Sequence, residues 1–250
     1  MRATATSAPN AAEPARLGIL GGSFDPPHLG HLELARHALR ELRLDRVVLM
    51  PAQRSPHKPP VGEERRGAHA TAHERLSMCR LLVAADPGVY VGEDELRRKG
   101  PSYTVDTLRA LHDVQSHTSF TFILGADVAR TLPAWREPLE LLALAELAVA
   151  VRPGTAVREV RGALAPLLEK GAPTRARGRG RMGGSSALAE DRPEDRVRFL
   201  SMPAIAVSSS LVRDRVRRRE TVEELVGPAV AAYIDAHGLY RTPVAGVSAP

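Results

Sequence analysis

Two short segments of the sequence carry residues suited to binding phosphate groups. The first runs from Gly21 to Leu32 and reads Gly-Gly-Ser-Phe-Asp-Pro-Pro-His-Leu-Gly-His-Leu. Its paired glycines let the backbone approach a ligand closely, and its prolines delay the start of a helix until about Leu29. His28 and His31 then fall on one side of the first helical turn, where imidazoles and free N–H groups favour an anion.

Imidazoles at such a helix start can donate hydrogen bonds to phosphate oxygens and offset charge that develops in a transition state. The structural alternative is that His31 packs in the core and His28 lies in a loop. The position of the motif between a strand and a helix favours the phosphate site. No Gly-Lys-Ser/Thr follows and no Gly-x-Gly-x-x-Gly occurs here, which excludes a Walker loop and a dinucleotide fingerprint.

The second segment runs from Ala206 to Arg213, reads Ala-Val-Ser-Ser-Ser-Leu-Val-Arg, and opens a predicted helix. Ser208 or Ser209 is a good helix N-cap, which is the structural alternative for this segment. Three hydroxyls, a helix N-terminus and an arginine within one turn also form an anion site, because arginine can bind phosphate oxygens in a bidentate way. Two such sites at one sheet edge would suit a triphosphate.

Alternating strands and helices must position both segments. Short apolar strand patterns alternate with amphipathic helical patterns, which indicates βαβ units and a parallel sheet. We predict a doubly wound, Rossmann-like α/β fold with ligands beyond the carboxyl ends of the strands. The predicted strands are 17–20, 47–50, 89–91, 120–124, 147–151 and 197–200. The predicted helices are 29–43, 73–85, 104–114, a stretch ending at 144, 157–169, 209–218 and 227–237.

The length of 250 residues and the 43% hydrophobic content allow a sizeable core. We expect one domain over residues 16–241, with a disordered leader at 1–15 and a disordered tail at 242–250. Residues 171–195 are rich in glycine and arginine and have no apolar face, so they predict a flexible insertion inside the domain.

The composition bears on location and redox chemistry. No apolar run approaches the roughly 20 residues of a membrane span, and the N-terminus lacks an apolar signal core, so we expect a cytoplasmic protein without a membrane partner. The single cysteine, Cys79, lies in an apolar run and is expected to be a packed thiol.

The formal net charge of +6 raises the alternative of a nucleic-acid-binding protein. Residues 171–184 hold four arginines and no acid, and residues 213–219 hold five arginines and one aspartate, so each cluster contributes +4. The rest of the chain therefore carries −2, which argues against a general polyanion-binding surface. The second cluster begins at the second candidate anion site, which is more consistent with holding a nucleotide.

The two candidate anion-binding segments, Gly21–Leu32 and Ala206–Arg213, resemble the two signature motifs of the nucleotidyltransferases that carry a His-x-Gly-His turn. Intervening segments resemble one branch, the nicotinate-nucleotide adenylyltransferases, and the match spans about residues 17–240. Ser23 and Ser210 stand where threonine is frequent in the family, and the insertion is longer than the family's usual connection. The matching segments are Pro56–Lys58, Pro101–Leu108, Phe122–Asp127, Leu132 with Trp135, Val226–Val230, and Tyr233–Ile234 with Leu239–Tyr240.

The resemblance implies transfer of AMP from ATP to nicotinate mononucleotide, with release of pyrophosphate, by direct in-line attack. It implies Mg²⁺ carried mainly by the ATP phosphates, with no dedicated metal ligand in the protein. A related enzyme that uses nicotinamide mononucleotide is the nearest alternative. Whether the chain forms a homo-oligomer is left open.

The resemblance also implies site residues. Catalytic roles fall to His28, His31 and Arg213. ATP would contact Gly21, Gly22, Ser23, Phe24, His28, Gly30, His31, Ser208, Ser209 and Arg213. Nicotinate mononucleotide would contact Lys58, Tyr103, Thr104, Asp127 and Trp135.

Three of these positions have simpler interpretations that stay open, and so does Asp25, which lies in the first segment. Lys58 is nearly as well explained as a solvated loop residue, Thr104 as a helix cap, and Trp135 as core packing. Asp25 is a weaker candidate for a metal ligand, with hydrogen bonding to its own turn as the alternative.

Overall fold

The computed structural model describes residues 15–54, 56, 69–170, 196–203 and 206–241. The predicted leader up to residue 14, the predicted insertion at 171–195 and the predicted tail at 242–250 lie outside the described residues. Among the described helices, none combines the length and the apolar character that a membrane crossing requires.

Six parallel strands form one sheet in the order β3-β2-β1-β4-β5-β6, which confirms the predicted doubly wound fold. The strand order reverses between β1 and β4, and in such sheets ligands bind in the crevice at the carboxyl ends of these two strands. The strands are β1 (Arg16–Gly22), β2 (Arg46–Pro51), β3 (Val89–Val91), β4 (Ser119–Gly125), β5 (Glu146–Val151) and β6 (Val197–Ser201).

Helices cover both faces of the sheet and bury two apolar clusters against it. Helices α1, α2, α7, α8 and α9 pack on one face, and α3, α4, α5 and α6 pack on the other. The helices are α1 (Leu29–Glu41), α2 (Ala72–Val83), α3 (Thr104–Val114), α4 (Ala126–Ala129), α5 (Pro138–Leu144), α6 (Val157–Glu169), α7 (Ser209–Arg217), α8 (Glu223–Val226) and α9 (Pro228–Ala236).

Three short elements were not predicted separately: two lie in the region of the predicted helical stretch that ends at 144, and one lies between the helices predicted at 209–218 and 227–237. Helices α4 and α8 and a 3-10 turn at Leu132–Ala134 each span four residues or fewer. Such a length is little more than one helical turn, so no apolar periodicity can reveal it. The thiol of Cys79 is buried on α2, as predicted, and burial raises its pKa, which keeps it protonated and unreactive.

A buried carboxylate ties the turn between β1 and α1 to distant parts of the chain. Asp25 is only 8% exposed. Its Oδ1 accepts hydrogen bonds from the backbone N–H of Ala70 at 3.0 Å and the hydroxyl of Tyr240 at 2.9 Å. Its Oδ2 contacts Nδ1 of His69. These partners lie outside the turn, so neither alternative considered for Asp25, a metal ligand or a carboxylate bonded to its own turn, describes what the carboxylate does.

Replacement of Tyr240 by phenylalanine should lower the free energy of unfolding by roughly 1–3 kcal/mol, because a buried carboxylate loses one of its donors. Urea unfolding monitored by circular dichroism measures this change. Tyr233→Phe on α9 is the matched control, since that ring stacks on His237 instead. Equal unfolding midpoints for Tyr240→Phe and the wild type would contradict the role assigned to this hydrogen bond.

Candidate active site

The turn after β1 is shaped by Phe24, whose φ of 49° lies in the left-handed region. A Cβ at Gly22 would lie 3.1 Å from the Phe24 ring, so glycine leaves the ring room to tuck under the turn. Phe24 is 2% exposed, and its ring meets that of His31 edge to face at 4.9 Å. The structure therefore places Phe24 beneath the turn as a support for His31.

The two histidines of the turn are stacked at the start of α1, with ring centroids 3.7 Å apart. His28 is the N-cap residue, and its backbone N–H donates to Nδ1 of His31 at 3.2 Å. Because Nδ1 of His31 accepts this bond, a neutral His31 ring carries its proton on Nε2. The helix cap thus selects the tautomer in which Nε2–H is a hydrogen-bond donor.

Both imidazoles are held neutral. Burial, with the positive charge of Arg152 adding, lowers the pKa of His28 from 6.5 to about 4. Burial lowers the pKa of His31 well below its usual value, and the neighbouring His28 and Arg152 lower it further. Neutral rings at a helix N-terminus keep N–H donors available without adding a charge to desolvate.

One buried nitrogen in this pair makes no full hydrogen bond in the described part of the chain. Nδ1 of His28 is that atom, and its nearest backbone donor is the N–H of His31, in a capping-box arrangement. A Cβ at Gly30 would lie 3.1 Å from this nitrogen and 2.9 Å from Cγ1 of Val207. Glycine at position 30 therefore lets the His28 ring and the second segment approach the same point.

The second segment lies directly against the first. The hydroxyl of Ser209 donates to the carbonyl of Pro26 at 2.8 Å, and Nη1 of Arg213 donates to the carbonyl of Asp25. Ser208 caps α7 by accepting from the N–H of Leu211 at 3.1 Å, which is the structural interpretation of that residue. The N-termini of α1 and α7 therefore converge, as the triphosphate hypothesis requires.

A third helix start, that of α3, lies near the same edge. Tyr103 is its N-cap residue and Thr104 its first residue, and both are half-buried. The guanidinium of Arg136 lies 4.9 Å from the centre of the Tyr103 ring, and its Nη1 contacts Asp106 at 3.3 Å. These contacts join the start of α3 to the segment that contains Trp135.

Trp135 is connected to the end of β1 through a shared neighbour, Phe122. Its ring meets Phe122 of β4 edge to face at 6.0 Å, and its Nε1 donates to the hydroxyl of Thr131 at 3.0 Å. The Phe122 ring also borders Gly21, where a Cβ would lie 3.3 Å from it. Trp135 is half-buried, so an accessible part of the indole remains for a ligand.

Of the two remaining predicted contacts, Asp127 and Lys58, the structure describes only Asp127. The carboxylate of Asp127, in the first turn of α4, is 93% exposed and pairs with Arg130 at 2.8 Å. It lies just past the carboxyl end of β4, at the mouth of the crevice. Lys58 lies outside the described residues.

Two positively charged residues near the site were not predicted from the sequence. Arg152 follows β5 at the carboxyl edge and lowers the pKa of both histidines. Its position directly after a predicted strand, in the sequence Val-Arg-Pro-Gly, indicates a residue at the ligand-binding edge of the sheet. Arg75 is buried on α2 and bonds backbone carbonyls after β1 and β2. Nothing in its local sequence separates it from a surface arginine.

Lowering the pH should destabilise the fold through His28. Between its folded pKa of about 4 and the unfolded value near 6.5, the unfolded state binds more protons, so the free energy of unfolding falls as the pH drops from 6.5 to 4. The His28 contribution is roughly 3 kcal/mol.

Urea unfolding across this pH range measures the effect, with His28→Asn expected to weaken the dependence. His73→Asn, at an exposed position on α2, is the matched control and should keep the wild-type dependence. Parallel pH curves for His28→Asn and the wild type would contradict the assignment.

The chain is similar to known proteins in sequence and in fold. The model of the cytidylyltransferase-like family matches residues 19–215. A relative from Roseiflexus sp. (strain RS-1) is 38% identical over 91% of this chain and 98% of its own length. A relative from Chromobacterium violaceum is 39% identical over 91% of this chain and 99% of its own length. Both bear the name "Probable nicotinate-nucleotide adenylyltransferase".

Solved structures show the same fold. The nicotinic acid mononucleotide adenylyltransferase of Plasmodium falciparum, complexed with NaAD, matches with a TM-score of 0.64 over 90% of this chain and 97% of that one, at 16% identity. The same enzyme complexed with APC matches with a TM-score of 0.63. The chain belongs to the cytidylyltransferase-like family and, within it, to the nicotinate-nucleotide adenylyltransferases.

Proposed function

We propose that the protein transfers an adenylyl group from ATP to nicotinate mononucleotide and so forms nicotinate adenine dinucleotide, a step of NAD biosynthesis. The observation that carries this proposal is the convergence of two helix starts suited to anions, those of α1 and α7, at the carboxyl edge of the sheet, where Ser209 and Arg213 of α7 are hydrogen-bonded to the turn that precedes α1. Membership of the adenylyltransferase family supports the choice of substrates.

The reaction is a single displacement at the α-phosphorus of ATP. A phosphate oxygen of the mononucleotide forms the new P–O bond, the bond to the β-phosphate breaks, and pyrophosphate leaves with the electron pair. Such a transfer needs positioning and charge stabilisation more than it needs a protein nucleophile. The site offers N–H, hydroxyl and guanidinium donors, which suit that requirement.

We assign the chemistry to His28, His31 and Arg213. The neutral His31 ring, with its proton on Nε2, would donate to a phosphate oxygen as negative charge moves onto the leaving group. The His28 ring, stacked on His31 at the same helix start, is a second candidate donor to the phosphate groups. Two guanidinium nitrogens of Arg213 already donate to the carbonyl of Asp25 and the hydroxyl of Ser210, so its remaining N–H groups would bind the triphosphate.

The other ATP contacts follow from the backbone. Gly21, Gly22 and Ser23 would line the adenylate, and Gly30 would let the phosphates approach the start of α1. Phe24 would support this part of the site by packing beneath the turn against His31. Ser209 and the capped helix start at Ser208 would complete the phosphate site, and Arg152 is a further candidate there.

The mononucleotide would occupy the region between α3 and Trp135. The backbone N–H groups at Tyr103 and Thr104 begin a helix and therefore favour a carboxylate. The indole of Trp135 would stack on the pyridine ring, and Asp127 would reach ribose hydroxyls at the mouth. Lys58 stays a proposed phosphate contact on sequence grounds.

A divalent cation would enter with ATP. The described residues include no group of three or more His, Cys, Asp or Glu placed to hold a metal ion. Asp25 does not fit such a role, because its carboxylate oxygens already accept bonds from Ala70 and Tyr240 and contact His69. We propose Mg²⁺ bound to the ATP phosphate oxygens, where it would neutralise part of their charge.

A pyrophosphate-release assay with both mononucleotides tests this function. We expect ATP plus nicotinate mononucleotide to give pyrophosphate and the dinucleotide, with kcat/KM on the order of 100-fold above that for nicotinamide mononucleotide, because helix N–H donors favour a carboxylate over a neutral amide.

Omission of the mononucleotide is the control and should stop pyrophosphate release. No dinucleotide from the acid substrate would overturn the proposed reaction. Equal kcat/KM for acid and amide would overturn only the substrate preference.

A further inference from the structure

Arg75 is a buried charge whose hydrogen bonds, within the described part of the chain, go to backbone carbonyls. It projects from α2, is 7% exposed, and faces the buried Asp25 carboxylate. Burial lowers its pKa and the nearby carboxylate raises it. A buried guanidinium destabilises a fold unless its donors are well paired, so the partners of Arg75 indicate what it contributes.

Those partners are backbone carbonyls at the ends of two neighbouring strands. Nη1 donates to the carbonyl of Ser23, after β1, at 2.6 Å. Nη2 donates to the carbonyl of Ala52 at 2.7 Å and to that of Gln53 at 3.2 Å, both after β2. One planar group therefore joins the segment that follows β1 to the segment that follows β2.

The segment after β2 is held from its other side by the start of α3. The N–H of Gln53 donates to the hydroxyl of Ser102 at 3.0 Å, and the N–H of Ser102 donates to the carbonyl of Arg54 at 2.9 Å. The peptide group between Ala52 and Gln53 is thus bonded to Arg75 through its carbonyl and to Ser102 through its N–H. A trans peptide directs these two groups in opposite directions, so the segment is held between them.

The Ser102 side of this connection is itself anchored in the core. Glu95 is 7% exposed and accepts a hydrogen bond from the hydroxyl of Thr107, in α3, at 2.7 Å. The Ser102 side chain also hydrogen-bonds to Glu95. The start of α3 therefore has a fixed position relative to the segment after β2.

We propose that Arg75 is a positioning residue that sets the spacing between the two substrates. The inference rests on the proposed function, in which ATP binds the turn after β1 and the mononucleotide binds at the start of α3. The chain of contacts from Ser23 through Arg75, residues 52–54 and Ser102 is a direct connection between those two sites. In-line transfer depends steeply on that spacing, because a misplacement of about 1 Å lowers the rate by on the order of 100-fold.

The geometry requires the guanidinium fork as well as the charge. Two terminal nitrogens spaced on a rigid plane reach three carbonyls from two segments, whereas the single nitrogen of lysine cannot span them in the same way. Arg75→Met removes the donors, and Arg75→Lys keeps the charge and removes the fork. Arg80→Met is the matched control, because Arg80 lies on the same helix and pairs with Glu93 at the surface.

The test separates substrate binding from the chemical step. For each variant, the dissociation constants of ATP and of nicotinate mononucleotide are measured by calorimetry, and kcat is measured at saturation, well below the melting temperature. We expect kcat to fall about 100-fold in Arg75→Met and in Arg75→Lys while both dissociation constants change less than about threefold. Arg80→Met should match the wild type.

Other results overturn the proposal. A lower melting temperature with unchanged kcat would reduce Arg75 to structural support. A larger dissociation constant for either substrate with unchanged kcat would make Arg75 a binding residue. A wild-type kcat in Arg75→Lys would show that the positive charge alone suffices. An inactive wild-type enzyme contradicts the proposed function and this inference with it, whereas an active wild type with an unaffected Arg75→Met contradicts this inference alone.

Discussion

The hydrogen bonds that reach the turn between β1 and α1 from other parts of the chain determine the rest of the site. Asp25 supplies most of the attachment points, because its carboxylate binds the start of α2 and the far end of the chain at Tyr240. Its carbonyl and that of Pro26 bind α7 through Arg213 and Ser209. Hydrogen bonds from three distant segments therefore hold the turn in place, and buried networks of this kind are rigid when every member is paired.

Rigidity at this turn has a chemical consequence. The stacked His28 and His31 rings are neutral because they are buried beside a positive charge, and the bond from the His28 backbone leaves the His31 proton on Nε2. Donors fixed before substrate arrives do not have to reorganise when charge develops during the reaction. The proposed chemistry therefore requires no protein nucleophile, because positioning supplies most of the catalysis.

Long periodic patterns explain why much of the fold could be predicted. The six strands and the longer helices lie where apolar periodicity placed them, whereas α4 and α8 were too short to show any period. The meeting of the turn after β1 with Ser209 and Arg213 was predictable because both segments follow strands of one parallel sheet, whose carboxyl ends share an edge. The partners of Asp25 and Arg75 were not, because they are set by tertiary contacts up to 215 residues apart and leave no local pattern.

The single-turnover rate of His31→Ala, at saturating ATP and nicotinate mononucleotide, tests the central claim most directly. If the His31 imidazole stabilises charge in the transition state, the rate should fall on the order of 100–1,000-fold while the dissociation constant of ATP changes only a few-fold. A single-turnover rate equal to that of the wild type would remove His31 from the catalytic set and contradict the account.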